Sequence, residues 1–302
     1  MNAAPLAPER RPTFYFLDHI KSFSPVFLDT EVDMTAVLRH RADARAGGQH
    51  YSLVSYVVHA AGRVLARHPA ANAAIRGSFA PKVARFSAVS GKVTFDKTVN
   101  GRRVVLSTVL PDVHEAAQAD IQRQIETIRD GDPETMPQLA KIRALRKLPV
   151  PLGRLVFRTG IRGLTRRPQL VGTFAVTSLG HSAVDSFHSV GGTTVTLGVG
   201  RMSDRPVVRD GAVTIAPMMR LSLAFDHRVI DGAEAADVLT DLKTRLEEFG
   251  SDTPEPTATE ATTPEPATTG ATTTRATTTG SAATDGTVTD GTATAEDVPV
   301  AP

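Results

Sequence analysis

The sequence Asp-His-Arg-Val-Ile-Asp-Gly at residues 226–232 follows directly on the run Met219–Phe225. Apolar residues alternate with polar or small ones in that run, which is the period of a half-buried strand. Beyond Gly232, apolar residues recur at helical spacing as far as Phe249. His227 therefore stands where a strand meets a helix. A side chain at such a junction is held by two rigid elements, and an imidazole that titrates near neutral pH can act there as a general base.

The rest of residues 13–250 alternates between strand and helix patterns and predicts one α/β domain. Strands are predicted at 27–33, 92–98, 103–110, 171–178, 193–199 and 213–216. Helices are predicted at 35–45, from Ser52 to just before Pro69, and from 117 to Gly131. Asn100-Gly101 and Asp210-Gly211 have the composition of hairpin turns. We expect a mixed sheet covered by helices on one face.

Two further motifs accompany residues 226–232. Gly-Thr-Phe-Ala-Val-Thr-Ser-Leu-Gly occupies Gly172–Gly180 and Glu-Val-Asp-Met-Thr occupies Glu31–Thr35, while Leu197–Met202 and Arg205–Val208 precede the histidine motif. Together they resemble the catalytic domain of the dihydrolipoamide acyltransferases of 2-oxo acid dehydrogenase complexes. The likeness is strong over about 171–249, good over about 23–77 and poor between them. The resemblance implies a chloramphenicol acetyltransferase-like fold.

The chemistry that the resemblance implies is acyl transfer from a thioester of coenzyme A. His227 matches the catalytic histidine and takes the role of general base, although an isolated histidine is more often structural. Thr177 matches a position where serine is common, and its hydroxyl would stabilise the tetrahedral oxyanion. Strand propensity alone is the other explanation for this threonine. We prefer Thr177 to Ser178, because neighbouring residues of a strand point to opposite faces.

Asp231 lies four residues after His227, a spacing that indicates a charge relay at first sight. The resemblance implies instead that this acid is mainly structural, pairs with a basic side chain and fixes the loop, while backbone orients the imidazole. The arginine usual near the N-terminus of the family has no clear counterpart, because Tyr15 and Phe16 occupy that neighbourhood. The partner of Asp231 is therefore left open.

Three functions remain open at this stage. The first is an enzyme, a stand-alone acyltransferase that uses acyl-coenzyme A and a small-molecule or carrier-bound acceptor. The second is the acyltransferase component of a dehydrogenase complex, which would need a lipoyl group supplied in trans. The third is a non-catalytic oligomeric scaffold, and the presence of both His227 and Thr177 argues against it. No lipoyl or subunit-binding domain precedes the catalytic body in this sequence, which favours the first.

Assembly follows from the resemblance as well. In that family the active site lies between subunits, so we expect a homotrimer. The apolar C-terminal hook that joins trimers into cubic cores has no counterpart after Phe249, so cubic particles are not expected.

The charge of the chain is divided unevenly. Residues 251–302 are rich in Thr, Ala and Pro, with eight acids against the single base Arg275. This segment has a net charge of −7 and is expected to be disordered. The whole chain is +2, which leaves +9 on residues 1–250. A basic body suits an anionic ligand such as coenzyme A, although nucleic acid or anionic lipid would match the same charge; we predict no nucleic-acid partner.

Composition excludes several other classes. The chain has no cysteine, so disulfides, thiolate nucleophiles and cysteine metal sites are excluded. No apolar run reaches the length of a signal peptide core or a membrane span, and cytoplasm is the expected location. Residues 1–12, with three prolines and two arginines, are expected to form a flexible arm.

Other motifs are weak. Gly191-Gly192 and Gly198-Val199-Gly200 match neither the phosphate loop nor the dinucleotide fingerprint. His181, Asp185 and His188 have a spacing that could bind zinc on one helix face, but the serines around them favour a loop. We therefore predict no metal site.

A basic insertion at about 141–167 contains no acid. Arg154, Arg158, Arg162 and Arg166 recur every four residues beside apolar side chains. Three interpretations stay open: an ordinary surface helix, a lid that binds the phosphates of acyl-coenzyme A, or an amphipathic patch for peripheral membrane contact.

Overall fold

A six-stranded mixed sheet organises the computed structural model, which describes residues 4–77 and 79–250. The segment 251–302, for which disorder was expected, lies outside these described residues. The strands are β1 Pro25–Asp33, β2 Ala73–Arg76, β3 Lys82–Arg85, β4 Gly91–Val99, β5 Arg102–Leu110, β6 Phe174–Ser178, β7 Val195–Arg209 and β8 Ala212–Asp226. The main sheet has the order β1-β8-β7-β6-β4-β5, and β2 pairs with β3 separately. Strand β6 runs parallel to β4 and β7, and the other pairs are antiparallel.

Eight α-helices connect or cover these strands within the described residues. They are α1 Arg11–Ile20, α2 Thr35–Ala46, α3 Leu53–Arg67, α4 Gln118–Asp130, α5 Ala140–Lys147, α6 Val150–Gly160, α7 Arg167–Val171 and α8 Gly232–Glu247. The predicted α/β class with a mixed sheet is confirmed. Helices α2, α3, α4 and α8 lie close to their predicted positions, and the hydroxyl of Ser52 caps α3 by accepting from the backbone N–H of Ser55.

The hydrophobic core lies between one face of the sheet and helices α3, α4 and α8. Strand residues on that face are buried, among them Val176, Leu197 and Leu223. Each fully buried side chain of this size contributes about 2 kcal/mol. This layer holds the central strands in a fixed register.

The opposite face of the sheet is covered as well, by part of α1 and by an irregular segment. Phe16 of α1 packs over Lys92, and the ring lies where a Cβ at Gly192 would be. The irregular segment 180–192 crosses the same face, because Gly191 lies against the side chain of Ala175. Apart from α1, irregular segments build this layer, and they carry no periodic apolar signal.

Two boundaries differ from those expected from the sequence. The predicted strand at 213–216 is not a separate element, because it is part of β8, and the turn at Asp210-Gly211 joins β7 and β8 into one long hairpin. A short 3-10 turn begins at Pro8 and leads into α1, so the fold starts before residue 13. The guanidinium of Arg11 donates to the carbonyls of Arg146 and Leu148.

The basic insertion folds into α5, α6, a 3-10 turn and α7 in place of one continuous helix. Gly153 of α6 is buried against Tyr15, and a Cβ there would overlap the phenol ring. This close approach docks α6 on α1. Among the described residues, no helix is both long enough and apolar enough to cross a membrane.

Candidate functional site

His227 follows β8 immediately and stands one turn before α8. Its backbone N–H donates to the carbonyl of Ser24 at 2.9 Å, which ties the junction to the start of β1. The imidazole ring packs against Phe225 with centroids 5.4 Å apart, and the side chain is 45% exposed. A base must reach its substrate and keep its orientation. This junction provides both conditions.

The carboxylate that fixes this junction is Asp226. It is buried and accepts from the backbone N–H groups of Ser24 and Arg228 at 3.4 and 3.3 Å. The guanidinium of Arg228 donates to both carboxylate oxygens, at 2.8 and 2.5 Å, and stacks 5.0 Å above the ring of Phe23. A bidentate pair of this kind holds both residues in one geometry. Sequence reasoning missed Asp226, although the residue continues the buried run of β8.

Asp231 does not have the surroundings expected of a structural acid. Its side chain is 89% exposed, and its Oδ1 lies 3.4 Å from Nδ1 of His227. It occupies the N-cap position of α8 but accepts no capping hydrogen bond. Among the described residues the loop is held by Asp226 and Arg228, and the structural role expected of Asp231 stays a prediction.

Thr177 and Ser178 close β6 and face opposite sides of the sheet, as the strand period requires. The hydroxyl of Ser178 accepts from the backbone N–H of Gly180 at 3.3 Å. Thr177 is half-buried on the face covered by segment 180–192, and its register partner is Gly198 of β7. The hydroxyl of Thr177 is the one on the face opposite to the main core.

A single chain does not bring His227 and Thr177 together. Thr177 is level with Gly198, and Gly198 is level with Ser222 of β8. His227 lies five residues beyond Ser222, which places it about 17 Å further along the strand axis at about 3.4 Å per residue. Two more strand spacings add about 10 Å sideways. The predicted base and oxyanion donor therefore lie far apart along the central strands.

Segment 180–192 is held over the Thr177 face by polar contacts. Ser222 donates its hydroxyl hydrogen to the carbonyl of Phe187, and Asp185 pairs with Arg201 at 2.5 Å and Arg205 at 3.7 Å. The ring of His188 packs against Phe27. No helix forms in this segment, and no cluster of three or more potential metal ligands occurs among the described residues.

A buried group of cations lies beneath α1, near the His227 end. The ammonium of Lys92 donates to the carbonyl of Gly191, and burial, reinforced by Arg167, lowers the pKa of Lys92 to about 7. Arg167 donates to the carbonyls of Ile75 and Gly192 at 2.9 and 3.2 Å. These two cations tie segment 180–192 to the sheet. The sequence offered no signal for Lys92, because a lysine in a strand is normally solvated.

His19 of α1 adjoins this group. Burial, followed by the charges of Arg167, Lys92 and Arg228, lowers the pKa of His19 to about 4. Its ring packs edge-on against Phe23 and Phe157. His19 is therefore neutral at physiological pH, and three surrounding cations keep it so.

A cleft of about 590 Å³ opens at the far end of α8, away from His227. Asp33, Arg39, His40 and Arg209 line it together with Glu247. Glu247 lies 15 residues after Gly232, or about 22 Å along the helix axis. This cleft is not positioned to hold a substrate of His227.

Comparison with known proteins finds a family whose catalytic domain matches part of the chain. The sequence profile of the 2-oxoacid dehydrogenases acyltransferase (catalytic domain) matches residues 154–251. Over 50 residues, the chain is 50% identical to the dihydrolipoyllysine-residue acetyltransferase component of pyruvate dehydrogenase complex of Bacillus subtilis (strain 168). That stretch is 17% of this chain and 11% of the relative, so only about a tenth of the curated protein is matched.

Solved structures extend the likeness to the fold. A probable dihydrolipoamide acetyltransferase from Listeria monocytogenes superposes with a TM-score of 0.63 at 18% identity, over 84% of this chain and 97% of that one. A dihydrolipoamide acetyltransferase from Azotobacter vinelandii gives 0.62 at 20% identity, over 82% and 92%. Its structure was studied for the role of a serine, a histidine and an asparagine in its catalytic mechanism, the last two being four positions apart.

The resemblance seen in the motifs is thus confirmed: residues 154–251, which hold Thr177 and His227, match the 2-oxoacid dehydrogenase acyltransferase catalytic domain, and the described chain has the fold of the dihydrolipoamide acetyltransferases.

Proposed function

We propose that this protein is an acyltransferase that moves an acyl group from coenzyme A to a small-molecule or carrier-bound acceptor. The observation that carries the proposal is the position of His227 within the matched segment, half-exposed at a junction fixed by Asp226 and Arg228. A histidine with a purely structural role at a strand end would be buried and paired on both nitrogens. Here the rigid part of the junction is supplied by its neighbours.

The reaction begins when the imidazole of His227 removes a proton from the attacking hydroxyl, amine or thiol of the acceptor. The attacking atom forms a bond to the thioester carbonyl carbon, and the carbonyl oxygen becomes an oxyanion. The Thr177 hydroxyl donates a hydrogen bond to that oxyanion, a contribution of about 3 kcal/mol to the barrier. The carbon–sulfur bond then breaks, and the imidazolium returns its proton to the departing thiolate of coenzyme A.

The separation of His227 and Thr177 requires two copies of the chain at one site. With about 17 Å between their levels on one sheet, no acceptor atom reaches both. A head-to-tail ring brings the His227 end of one copy against the Thr177 end of the next, and such a ring closes as a cyclic oligomer. We propose a homotrimer with three shared sites.

The acyltransferase component of a 2-oxo acid dehydrogenase complex is the second candidate. The names of the relatives favour it, since the Bacillus protein is a pyruvate dehydrogenase component. In that case the acceptor or donor is a lipoyl group carried by another chain, and the chemistry at His227 is unchanged. An acyl-transfer assay would separate the two candidate functions. Purified protein would be given acyl-coenzyme A together with either free dihydrolipoamide or a panel of alcohols and amines, and the acylated product would be identified.

Complementation between two inactive variants tests the shared site. His227→Ala removes the base and Thr177→Ala removes the oxyanion donor, so each homotrimer should be inactive or severely impaired. When the two variants are unfolded and refolded together, a site that takes His227 from one chain and Thr177 from the next is intact. With random mixing, about one quarter of the sites recover.

Two outcomes would contradict the proposal. Near-wild-type turnover by His227→Ala would remove the base from the mechanism. Failure of the refolded mixture to exceed the better single variant, although light scattering shows mixed trimers, would show that one chain supplies both groups.

A further inference from the structure

The outward face of α6 is apolar, in contrast to an ordinary surface helix. Leu152, Leu155 and Val156 are 46%, 57% and 44% exposed. These positions share one side of a helix, because they are spaced by three and four residues. The inward side is formed by Gly153 and Phe157, which pack against α1. The exposed strip is thus left without a partner while a different face of α6 docks on the protein.

Cations with no acidic partner flank this strip. Arg154 pairs with Asp18 of α1 at 2.6 Å, but among residues 4–77 and 79–250 neither Arg158 nor Arg162 pairs with an acidic side chain. Arg76 of β2 reaches the carbonyl of Arg162 at 3.4 Å, and its register partner on β3 is Lys82. We define the α6 surface as Leu152, Leu155, Val156, Arg158, Arg162, Arg76 and Lys82.

We propose that the α6 surface binds the face of a bilayer that contains anionic lipid. The three apolar side chains would enter the headgroup boundary while the four cations meet the phosphates and carboxylates of the headgroups. Arginine and lysine stems can lie along the same boundary with their charges in water. Contact would be peripheral, since α6 has only eleven residues and is too short to cross a bilayer.

The composition of the surface decides between occupants. The homotrimer proposed above joins copies through their His227 and Thr177 ends, and a copy at the α6 surface would add a body of net charge +9 to a surface that is already basic. The segment 251–302 has a complementary charge of −7 but almost no large apolar side chain to cover the leucines. Free coenzyme A is anionic, but a small ligand needs a concave site, whereas the outward side of a helix is convex. An anionic bilayer has a flat, extended face, and it offers apolar chains to the leucines and anionic headgroups to the cations.

Vesicle sedimentation with full-length protein tests the proposal. Vesicles of phosphatidylcholine alone are compared with vesicles that also contain phosphatidylserine, at low and at physiological salt. The protein should sediment with the anionic vesicles, and less so as salt rises. Leu152→Ser with Leu155→Ser should lower the partition coefficient by about tenfold, and Arg158→Glu with Arg162→Glu by at least as much, because each cation near the surface contributes about fivefold.

A matched control makes the same change of charge elsewhere. Arg123→Glu with Arg129→Glu alters two exposed arginines of α4, and binding should change little. Acyl transfer without vesicles should be equal in all of these variants, so failure of vesicle binding would leave the proposed reaction untouched. Circular dichroism establishes that each variant is folded.

Several results would overturn the proposal. Equal loss of binding in the α4 control would mean that total charge alone drives adhesion. Dissociation of the oligomer by the double-leucine variant would identify the strip as a contact between copies. Loss of coenzyme A affinity in the Arg158 and Arg162 variant, with no binding to vesicles by the wild type, would assign these arginines to the substrate phosphates.

Discussion

The His227 end and the Thr177 end of the central strands are assigned to one proposed reaction, but they are built differently. At the His227 end, a strand, a helix and a buried bidentate ion pair fix the histidine through short bonds to its neighbours. At the Thr177 end, a short strand finishes beneath an irregular segment that is held by the hydroxyl of Ser222 and by the pairing of Asp185 with Arg201 and Arg205. The His227 end is a rigid support for the proposed base, and the Thr177 end is a hydroxyl covered by an irregular segment. Changes at the two ends should therefore affect different quantities.

The largest effect is expected at the Thr177 end. Thr177→Ala should lower kcat by about a hundredfold, because a hydroxyl donor to an oxyanion acts chiefly in the transition state. Thr177→Ser should retain most activity, since it keeps the donor. Steady-state kinetics with saturating acyl-coenzyme A measure both variants.

Ser178→Ala is the matched control for this comparison. Its hydroxyl lies on the opposite face and accepts from Gly180, so kcat should change little. A large loss in Ser178→Ala with Thr177→Ala unaffected would assign the oxyanion to the other face of β6.

Substitutions at the His227 end should be visible first as a change in the free energy of unfolding. Asp226→Asn weakens a buried bidentate pair and should cost about 2 to 3 kcal/mol of unfolding free energy, below the range for a fully buried pair because Arg228 is partly exposed. Asp231→Asn alters an exposed side chain and should change stability by less than about 0.5 kcal/mol. Chemical denaturation at fixed protein concentration measures both.

Equal destabilisation by Asp226→Asn and Asp231→Asn would show that both acids hold the loop. Turnover by Asp231→Asn, measured beside its stability, also tests whether the charge of this side chain takes part in the reaction. Retained turnover in that variant would agree with a role for Asp231 outside proton transfer.

A further effect on stability is expected from acid at His19. The pKa of His19 is about 4 in the folded protein and ordinarily about 6.5. Between pH 6.5 and 4 the unfolded chain therefore binds a proton at this residue that the folded protein does not bind. Wild-type stability should therefore fall as pH drops from about 6.5 towards 4. His19→Phe should fall less steeply over the same range. His59, whose pKa burial also lowers to about 4, is present in both proteins and cancels in the difference. Parallel curves would show that His19 is charged or solvated in the native state.

Much of the fold could be predicted because its core face is periodic. The alternation in β8, the apolar stripes of α3, α4 and α8, and the turn at Asn100-Gly101 each produce a local signal. Asn100 and Gly101 do adopt positive φ angles, 49° and 73°, as a two-residue hairpin turn requires. Thr177 and His227 were identified from motifs within such elements.

The rest depends on contacts between distant segments. Nothing local shows that Lys92 is buried under Phe16, or that Asp226 holds the loop. In α6 the apolar side chains of Leu152 and Leu155 face outward, whereas a surface helix usually turns such side chains inward. Gly153 and Phe157 occupy the inward side instead. The distance between His227 and Thr177 depends on strand order and register, which only the assembled sheet defines.

The strand order also determines when each part of the sheet can form during synthesis. Strand β1 pairs with β8, although almost 180 residues separate Asp33 from Ala212 along the chain. At about 5 to 20 residues per second, a ribosome needs roughly 10 to 35 s to make that interval. Through this time β1 has no partner in its sheet, while the β7–β8 hairpin can form as soon as it emerges. The histidine end of the molecule, which needs β1 and β8 together, is therefore among the last parts to be completed.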